Sequence, residues 1–410
     1  MYMETEKFDV AIVGAGPAGC AAAYRLSGNG LKIALIDKET FPRDKICGDA
    51  LGADVTKQFH LVSESLTQKL AEFTEKIPSN GVRFFTPKYQ KLDIHFSKPK
   101  NSFGGGFVTK RIDFDNFFFS ETAKLPDVTV FQNQKITGVE NTESAIFLKS
   151  SDKIFEAAIA LGADGAHSIL NKRLTENKVE KKHFCAGVRQ YFSNVKGFHP
   201  ENHIELHFYK EILPGYLWIF PLANNQANVG LGMLSSVVSK KQINLKKEMT
   251  HLLETIPSLK ERFKDAVPLT EIEGYGLPVG STKRTLSGNR FLLLGDAAGL
   301  IDPFTGEGIA NAIRSGRVAA SHVLDSFQKQ KFDAEFNQGY DKEIYYKMWN
   351  EFKFSHTLQK LFRHPRIINF VVKKANKNTS VQMLISSMLN DMDLKKELVK
   401  PSFYFKLFFT

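Results

Sequence analysis

Three glycines spaced as Gly14-x-Gly16-x-x-Gly19 fall where one apolar run, FDVAIVG, gives way to a helix-forming run, CAAAYRLSG. A second apolar run, LKIALID, follows and ends in Asp37. Strand, glycine turn, helix and strand in that order make a dinucleotide-binding unit. Gly14 permits the tight turn, Gly16 lets backbone approach a pyrophosphate, and Gly19 lets helix and strand pack closely. The helix that opens at Pro17 and Ala18 then offers its N-terminus to the phosphates. Asp37 stands 23 residues after Gly14, near the roughly 20-residue spacing of an acid that holds a ribose hydroxyl, with Lys38 beside it.

A second block lies far along the chain. The strand RFLLLGD runs into Gly295-Asp296-Ala297-Ala298-Gly299, then Asp302-Pro303-Phe304-Thr305-Gly306-Glu307-Gly308 and Ile309. Asp296 can accept hydrogen bonds from ribitol hydroxyls, and the glycines allow backbone to lie against a flavin ring. A helix starting near Gly308 would aim its positive end at the ring edge that gains charge on reduction, worth about 0.3–2 kcal/mol. These residues favour FAD over a nicotinamide. A third strand-to-turn block, Ala163-Asp164-Gly165-Ala166-His167-Ser168, completes the set.

The three blocks, in this order, resemble the two-nucleotide-fold flavoprotein superfamily that includes para-hydroxybenzoate hydroxylase, and the likeness covers most of residues 1 to 330. It implies that Arg111, followed by Asp115 in KRIDFDNF, reaches the FAD backbone. A narrower resemblance, to the geranylgeranyl reductase family, rests on Pro42-Arg43-x-Lys45-x-Cys47-Gly48 and on Gly215-Tyr216-x-Trp218-x-Phe220-Pro221. In that family the first motif lies beside the flavin and the second lines an elongated apolar cavity. Cys47, next to Gly48 and near Arg43 and Lys45, is thereby a candidate proton donor or gate, and equally a small residue packed in a turn. Tyr216 and Trp218 alternate on a strand, share a face, and can flank a hydrocarbon chain.

The fold class expected is α/β: a two-layer FAD-binding Rossmann-type domain interleaved with an antiparallel sheet that carries the substrate, then a C-terminal helical region. Segments such as GVRQYF, IELHFY, GYLWIFP and ANVGLGM supply that sheet, with Asn224-Asn225 at a turn. Boundaries are expected at 1–80, 105–185 and 270–330 for the FAD domain, 81–104 and 186–269 for the substrate domain, and 331–410 for the helices. A chain of 410 residues with 42% hydrophobic and 24% charged residues has enough apolar surface for such an arrangement.

Composition closes other routes. Cys20, Cys47 and Cys185 are too few and scattered for a disulfide framework or a zinc site. His167, His207 and His356 form no metal or triad spacing, and neither a Gly-x-Ser-x-Gly elbow nor a P-loop occurs. The net charge of +11 is spread along the chain without a nucleic-acid motif, so nucleic acid is discounted. From Lys331 onward 14 basic residues stand against 8 acidic ones, and the aromatic tail FYFKLFF is a candidate for resting on an anionic membrane. The absence of a secretory signal or an 18-residue apolar run points to the cytoplasm.

The function expected is FAD-dependent reduction of carbon–carbon double bonds in an isoprenoid or related lipid, with hydride going to one carbon and a proton from Cys47 or water to the other. NAD(P)H or ferredoxin would supply electrons. The alternative on the same scaffold is a flavin monooxygenase or halogenase. Flavin halogenases carry Trp-x-Trp-x-Ile-Pro, and this chain has Tyr216-Leu217-Trp218-Ile219-Phe220-Pro221 at a different place.

Overall fold

The computed structural model describes residues 4–96 and 105–390. Its first sheet has eight strands. Five run parallel, in the spatial order Phe291–Leu293, Lys153–Gly162, Glu4–Val13, Ile33–Ile36 and Val128–Phe131. In the four inner strands the apolar runs Val10–Val13, Ile33–Ile36, Ile159–Leu161 and Phe291–Leu293 are buried, as a covered parallel sheet requires. Two antiparallel strands, Gly138–Asn141 and Ile146–Lys149, extend it beside Lys153–Gly162.

The helices Pro17–Leu26 and Ile309–Lys329 pack together on this sheet. Small residues permit their approach: a methyl group on Gly316 would sit 2.2 Å from the Ala18 carbonyl, and one on Gly19 would sit 1.9 Å from that of Gly14. Strands and helices from both halves of the chain therefore share one core.

The second large sheet also has eight strands, including Phe184–Ser193, Gln226–Leu234, Tyr216–Leu222, Ile204–His207, Gly81–Phe85 and Lys91–His95 in that order. It is antiparallel except where Ile204–His207 runs parallel to Gly81–Phe85. The hairpin between Tyr216–Leu222 and Gln226–Leu234 turns at Asn224 and Asn225, both left-handed (φ 58 and 54), which asparagine tolerates well. One face of this sheet packs a core with the helices Leu245–Thr255 and Pro257–Arg262. A three-stranded sheet, Ala50–Leu51, Gly106–Val108 and Ile77–Ser79, joins the two halves.

The C-terminal segment is helical, with Ala334–Leu361, Pro365–Ala375 and Thr379–Asn390. Phe352 and Tyr340 of the first are fully buried in the parallel-sheet core, while Val372, Ala375 and Val381 pack on the strands Gly81–Phe85 and Lys91–His95. Among the described residues no helix is long and apolar enough to cross a membrane. The tail FYFKLFF lies outside the described residues.

Candidate active site

The glycine turns predicted to hold the cofactor meet at one place. Gly14 has φ +103, and a methyl group there would lie 2.3 Å from the Ala163 carbonyl and 2.9 Å from the Asp164 nitrogen, so the first and third blocks pack backbone on backbone. Gly295 (φ +55) faces Ala18 and Ala312, bringing in the late block. Gly16 caps the helix Pro17–Leu26 without any side-chain bond, and Gly308 does the same for Ile309–Lys329. Two long helices thus begin with uncapped N–H groups at this junction, which suits an anionic ligand. A cofactor with a pyrophosphate and a ring system fits: the backbone lies close, no side chain fills the turn, and the Arg43 guanidinium lies 3.6 Å from where a Gly16 methyl would project.

Asp37 is nearly buried, and its carboxylate accepts from the N–H groups of Ala15 (2.7 Å) and Glu39 (2.9 Å). It therefore fixes the glycine turn. Lys38 differs: its side chain is exposed and pairs with Glu39. Arg43 and Arg111 converge on Asp115 at 2.6 and 2.7 Å. Burial opposes ionisation of Asp115, but Arg111 and then Arg43 outweigh it and hold its carboxyl below the usual range. Lys45 reaches across to Asp296 at 2.9 Å, tying the PRDKICG segment to the late turn. Asp164 gives one oxygen to the N–H of Ile169 (2.7 Å); its other oxygen is buried without a partner, and burial raises its pKa. Gly165 sits beside Tyr275. The carbonyl of Pro303 accepts from Gln359.

A cavity of about 720 Å³ opens from this junction. Pro17, Lys45, Cys47, Gly48, Asp296, Pro303, Gly306, Glu307, Gly308 and Ile309 line one end. Tyr216, Trp218, Phe220 and Leu206 form a wall, and Phe354, Leu358, Phe362, Ile368 and Val372 of the C-terminal helices line the other end. Leu361 and Phe370 line it while being 38% and 40% exposed, so the cavity reaches the surface there.

Tyr216 and Trp218 do share the cavity face, each with its polar atom already committed. The Tyr216 hydroxyl donates to the Thr305 carbonyl at 2.5 Å, and burial raises its pKa. The Trp218 indole N–H donates to Asn228 at 2.9 Å. Its ring lies over Gly230, where a methyl group would sit 2.0 Å from Cζ2, and near Gly232. Both residues therefore act as walls whose rotamers are fixed by hydrogen bonds. The glycines that make room for the indole are visible in the run NVGLGM, a signal that sequence reasoning passed over.

Cys47 is half-buried at the cavity, its carbonyl accepting from Asn228 Nδ2 at 2.7 Å and its Sγ facing the N–H of Asp49 at 3.5 Å. Arg111 lies beside Cys47. Beneath it lies a buried polar group that the motifs did not announce. Asp49 Oδ2 accepts from Tyr191 (2.6 Å) and Asn228 (2.8 Å), Oδ1 has no partner, and Arg189 lies close by, bonded to Asp44 (2.8 Å). Burial pushes the Asp49 carboxyl up to about 6, although Tyr191, Asn228 and Arg189 each pull it down. Its left-handed backbone (φ 67), a conformation Asp accepts more readily than most residues, turns its side chain inward.

Comparison with known proteins gives the following. The family described as FAD binding domain matches residues 7–328. A digeranylgeranylglycerophospholipid reductase of Methanococcus vannielii is 29% identical over 367 residues, covering 87% of this chain and 88% of that protein. A menaquinone reductase of Mycobacterium tuberculosis is 29% identical over 331 residues, covering 78% and 76%. Among solved structures, a geranylgeranyl bacteriochlorophyll reductase-like protein of Thermoplasma acidophilum superimposes with a TM-score of 0.79 at 22% identity, covering 96% of this chain and 98% of that one.

Proposed function

Since this chain belongs to the FAD binding domain family, we propose that it is an FAD-dependent oxidoreductase that reduces carbon–carbon double bonds in the polyprenyl chain of a lipid. One observation carries the reading: an apolar cavity of about 720 Å³ starts at the cofactor glycines and ends between the C-terminal helices. Two reductase relatives with differently named substrates, a glycerophospholipid and a quinone, support a site that recognises the isoprenoid chain rather than its head.

FAD, when bound, supplies a hydride to one alkene carbon. Gly14, Gly16 and the uncapped start of Pro17–Leu26 would hold its pyrophosphate, with Arg43 adding positive charge. Asp37 would take the ribose, and Asp296, steadied by Lys45, the ribitol. Trp218, Phe220 and the hydrogen-bonded Tyr216 orient the chain and keep water out. Asp49 is the group able to hold a proton at neutral-to-acid pH, at an Oδ1 without a partner, and it lies directly below Cys47. Cys47 and Asp49 both line the cavity, and Cys47, two residues before that carboxyl, can pass a proton onward. The lipid enters where Leu361 and Phe370 meet solvent, beside Arg366, a place suited to peripheral contact with an anionic membrane. Bleaching of the flavin by NADPH or by reduced ferredoxin assigns the electron donor.

Anaerobic mixing of photoreduced protein with geranylgeranyl lipid tests the proposal. Flavin reoxidation should accompany a product gaining two hydrogens per double bond. Reoxidation that waits for oxygen and yields an oxygenated product would overturn it in favour of the hydroxylase alternative.

A further inference from the structure

A second cluster, apart from the cavity, stands at the edge of the antiparallel sheet. His95 closes the strand Lys91–His95, and Glu201 and His203 immediately precede the strand Ile204–His207. The strand Gly81–Phe85 runs between these two, with Gly81 paired to His95 and Val82 paired to Ile204. At that crossing the middle residue has no side chain. A methyl group on Gly81 would lie 2.5 Å from His203 Nε2, so glycine is what lets the two imidazoles approach to 4.8 Å between ring centres.

The Glu201 carboxylate sits with them, 2.8 Å from His95 Nδ1 and 3.6 Å from His203 Nε2. One nitrogen from each histidine and one Glu201 oxygen all fall within 4.8 Å of one another. His203 is 0% exposed, yet neither ring nitrogen has a hydrogen-bond partner. A neutral imidazole always carries one N–H, so this is a buried donor left unpaired, a state that costs about 1–3 kcal/mol. His199 stacks flat on His203 at 3.6 Å and accepts the Glu201 N–H at its Nδ1, holding ring and carboxylate in place.

We propose that His95, Glu201 and His203 bind a divalent first-row metal ion, by donor set Zn²⁺. Two imidazoles and one carboxylate are a common zinc ligand set, and a fourth position is left for water because His95 and Glu201 are exposed. Coordination gives one of the unpaired nitrogens of His203 a partner. The ion would staple the loop before Ile204 to the end of Lys91–His95, bracing the strands that carry the cavity residues Val82, Leu92, Ile204 and Leu206. The role is structural, and it stands independently of the flavin chemistry.

The test uses full-length, flavin-loaded protein stripped with a chelator and gel-filtered. It should rebind one equivalent of Zn²⁺ per chain, measured by elemental analysis, and its thermal midpoint should rise with Zn²⁺. Co²⁺ in its place should give d–d absorption without an intense thiolate band. His95→Gln and Glu201→Gln alter exposed side chains and should keep their flavin. Each should weaken Zn²⁺ binding by more than the roughly 10–100-fold that loss of an outer-shell partner costs. Binding well below one equivalent, stoichiometric binding unchanged in both variants, or a thiolate band assigning the ion to a cysteine would each overturn the site.

Discussion

The two ends of the cavity are built by different means. At the cofactor end, position is set by backbone: Gly14 against Ala163, Gly295 against Ala18, two uncapped helix starts, and buried ion pairs around Asp115. At the far end it is set by side chains, Phe354, Leu358, Phe362 and Ile368, on or beside the C-terminal helices. Backbone placement tolerates no substitution; a side-chain wall tolerates repacking if volume is kept. One scaffold can therefore hold a single cofactor while the substrate varies.

The harshest way to break this contrast is Gly14→Val. A side chain there collides with the Ala163 carbonyl and must adopt φ +103, so flavin content should fall at least about tenfold, read from absorbance after purification. Retained flavin would mean the turn is less constrained than its geometry implies. Next comes Trp218→Ala, which opens the wall without touching the cradle. Flavin content should hold while kcat/KM on polyprenyl lipid drops roughly 10–100-fold, the equivalent of about 1–3 kcal/mol of lost positioning; loss of flavin instead would erase the distinction between the ends.

Asp49→Asn probes the ground between them. The folded-state pKa near 6 lies above the ordinary carboxylate value of 3.8, so the native chain holds more protons than the unfolded one across that interval. Stability from this group is complete below about 3.8, falls as pH rises toward about 6, and is level above. The asparagine variant should lose that slope in denaturant titrations. If the Asp49 proton serves the reaction, single-turnover rates of the wild type should fall as pH climbs through about 6, and the variant should be slow and flat. A wild-type rate indifferent to pH across that range would remove Asp49 from proton delivery. The smallest effect belongs to Leu361→Asp with Phe370→Asp at the opening: KM for vesicle-borne lipid should rise a few-fold with kcat unchanged. An unchanged KM would place lipid entry elsewhere.

These predictions follow the line between what could and could not be read from the chain. The glycine turn, Asp37 and the Gly295-Asp296 turn were legible because each feature is local: a left-handed backbone or a helix start demands particular residues within a few positions. The Asn224-Asn225 turn was legible for the same reason. The partners of Cys47 were not. Asp49, Tyr191 and Asn228 are ordinary polar residues on separate strands, and only their burial together raises the Asp49 carboxyl. His95 and His203 lie more than a hundred residues apart, so their spacing gave no metal signal; the absence of a side chain at Gly81 joins them across three strands. Trp218 was noticed for its motif, whereas the glycines that seat its ring belong to the neighbouring strand.

By itself, then, the sequence determined the cofactor, because binding a pyrophosphate and a flavin ring through backbone requires glycine and helix starts at fixed intervals. Tertiary structure decided the cavity's length, the buried Asp49 carboxyl near Cys47 and the histidine cluster. Those depend on which distant side chains are excluded from water together, and no local spacing encodes that.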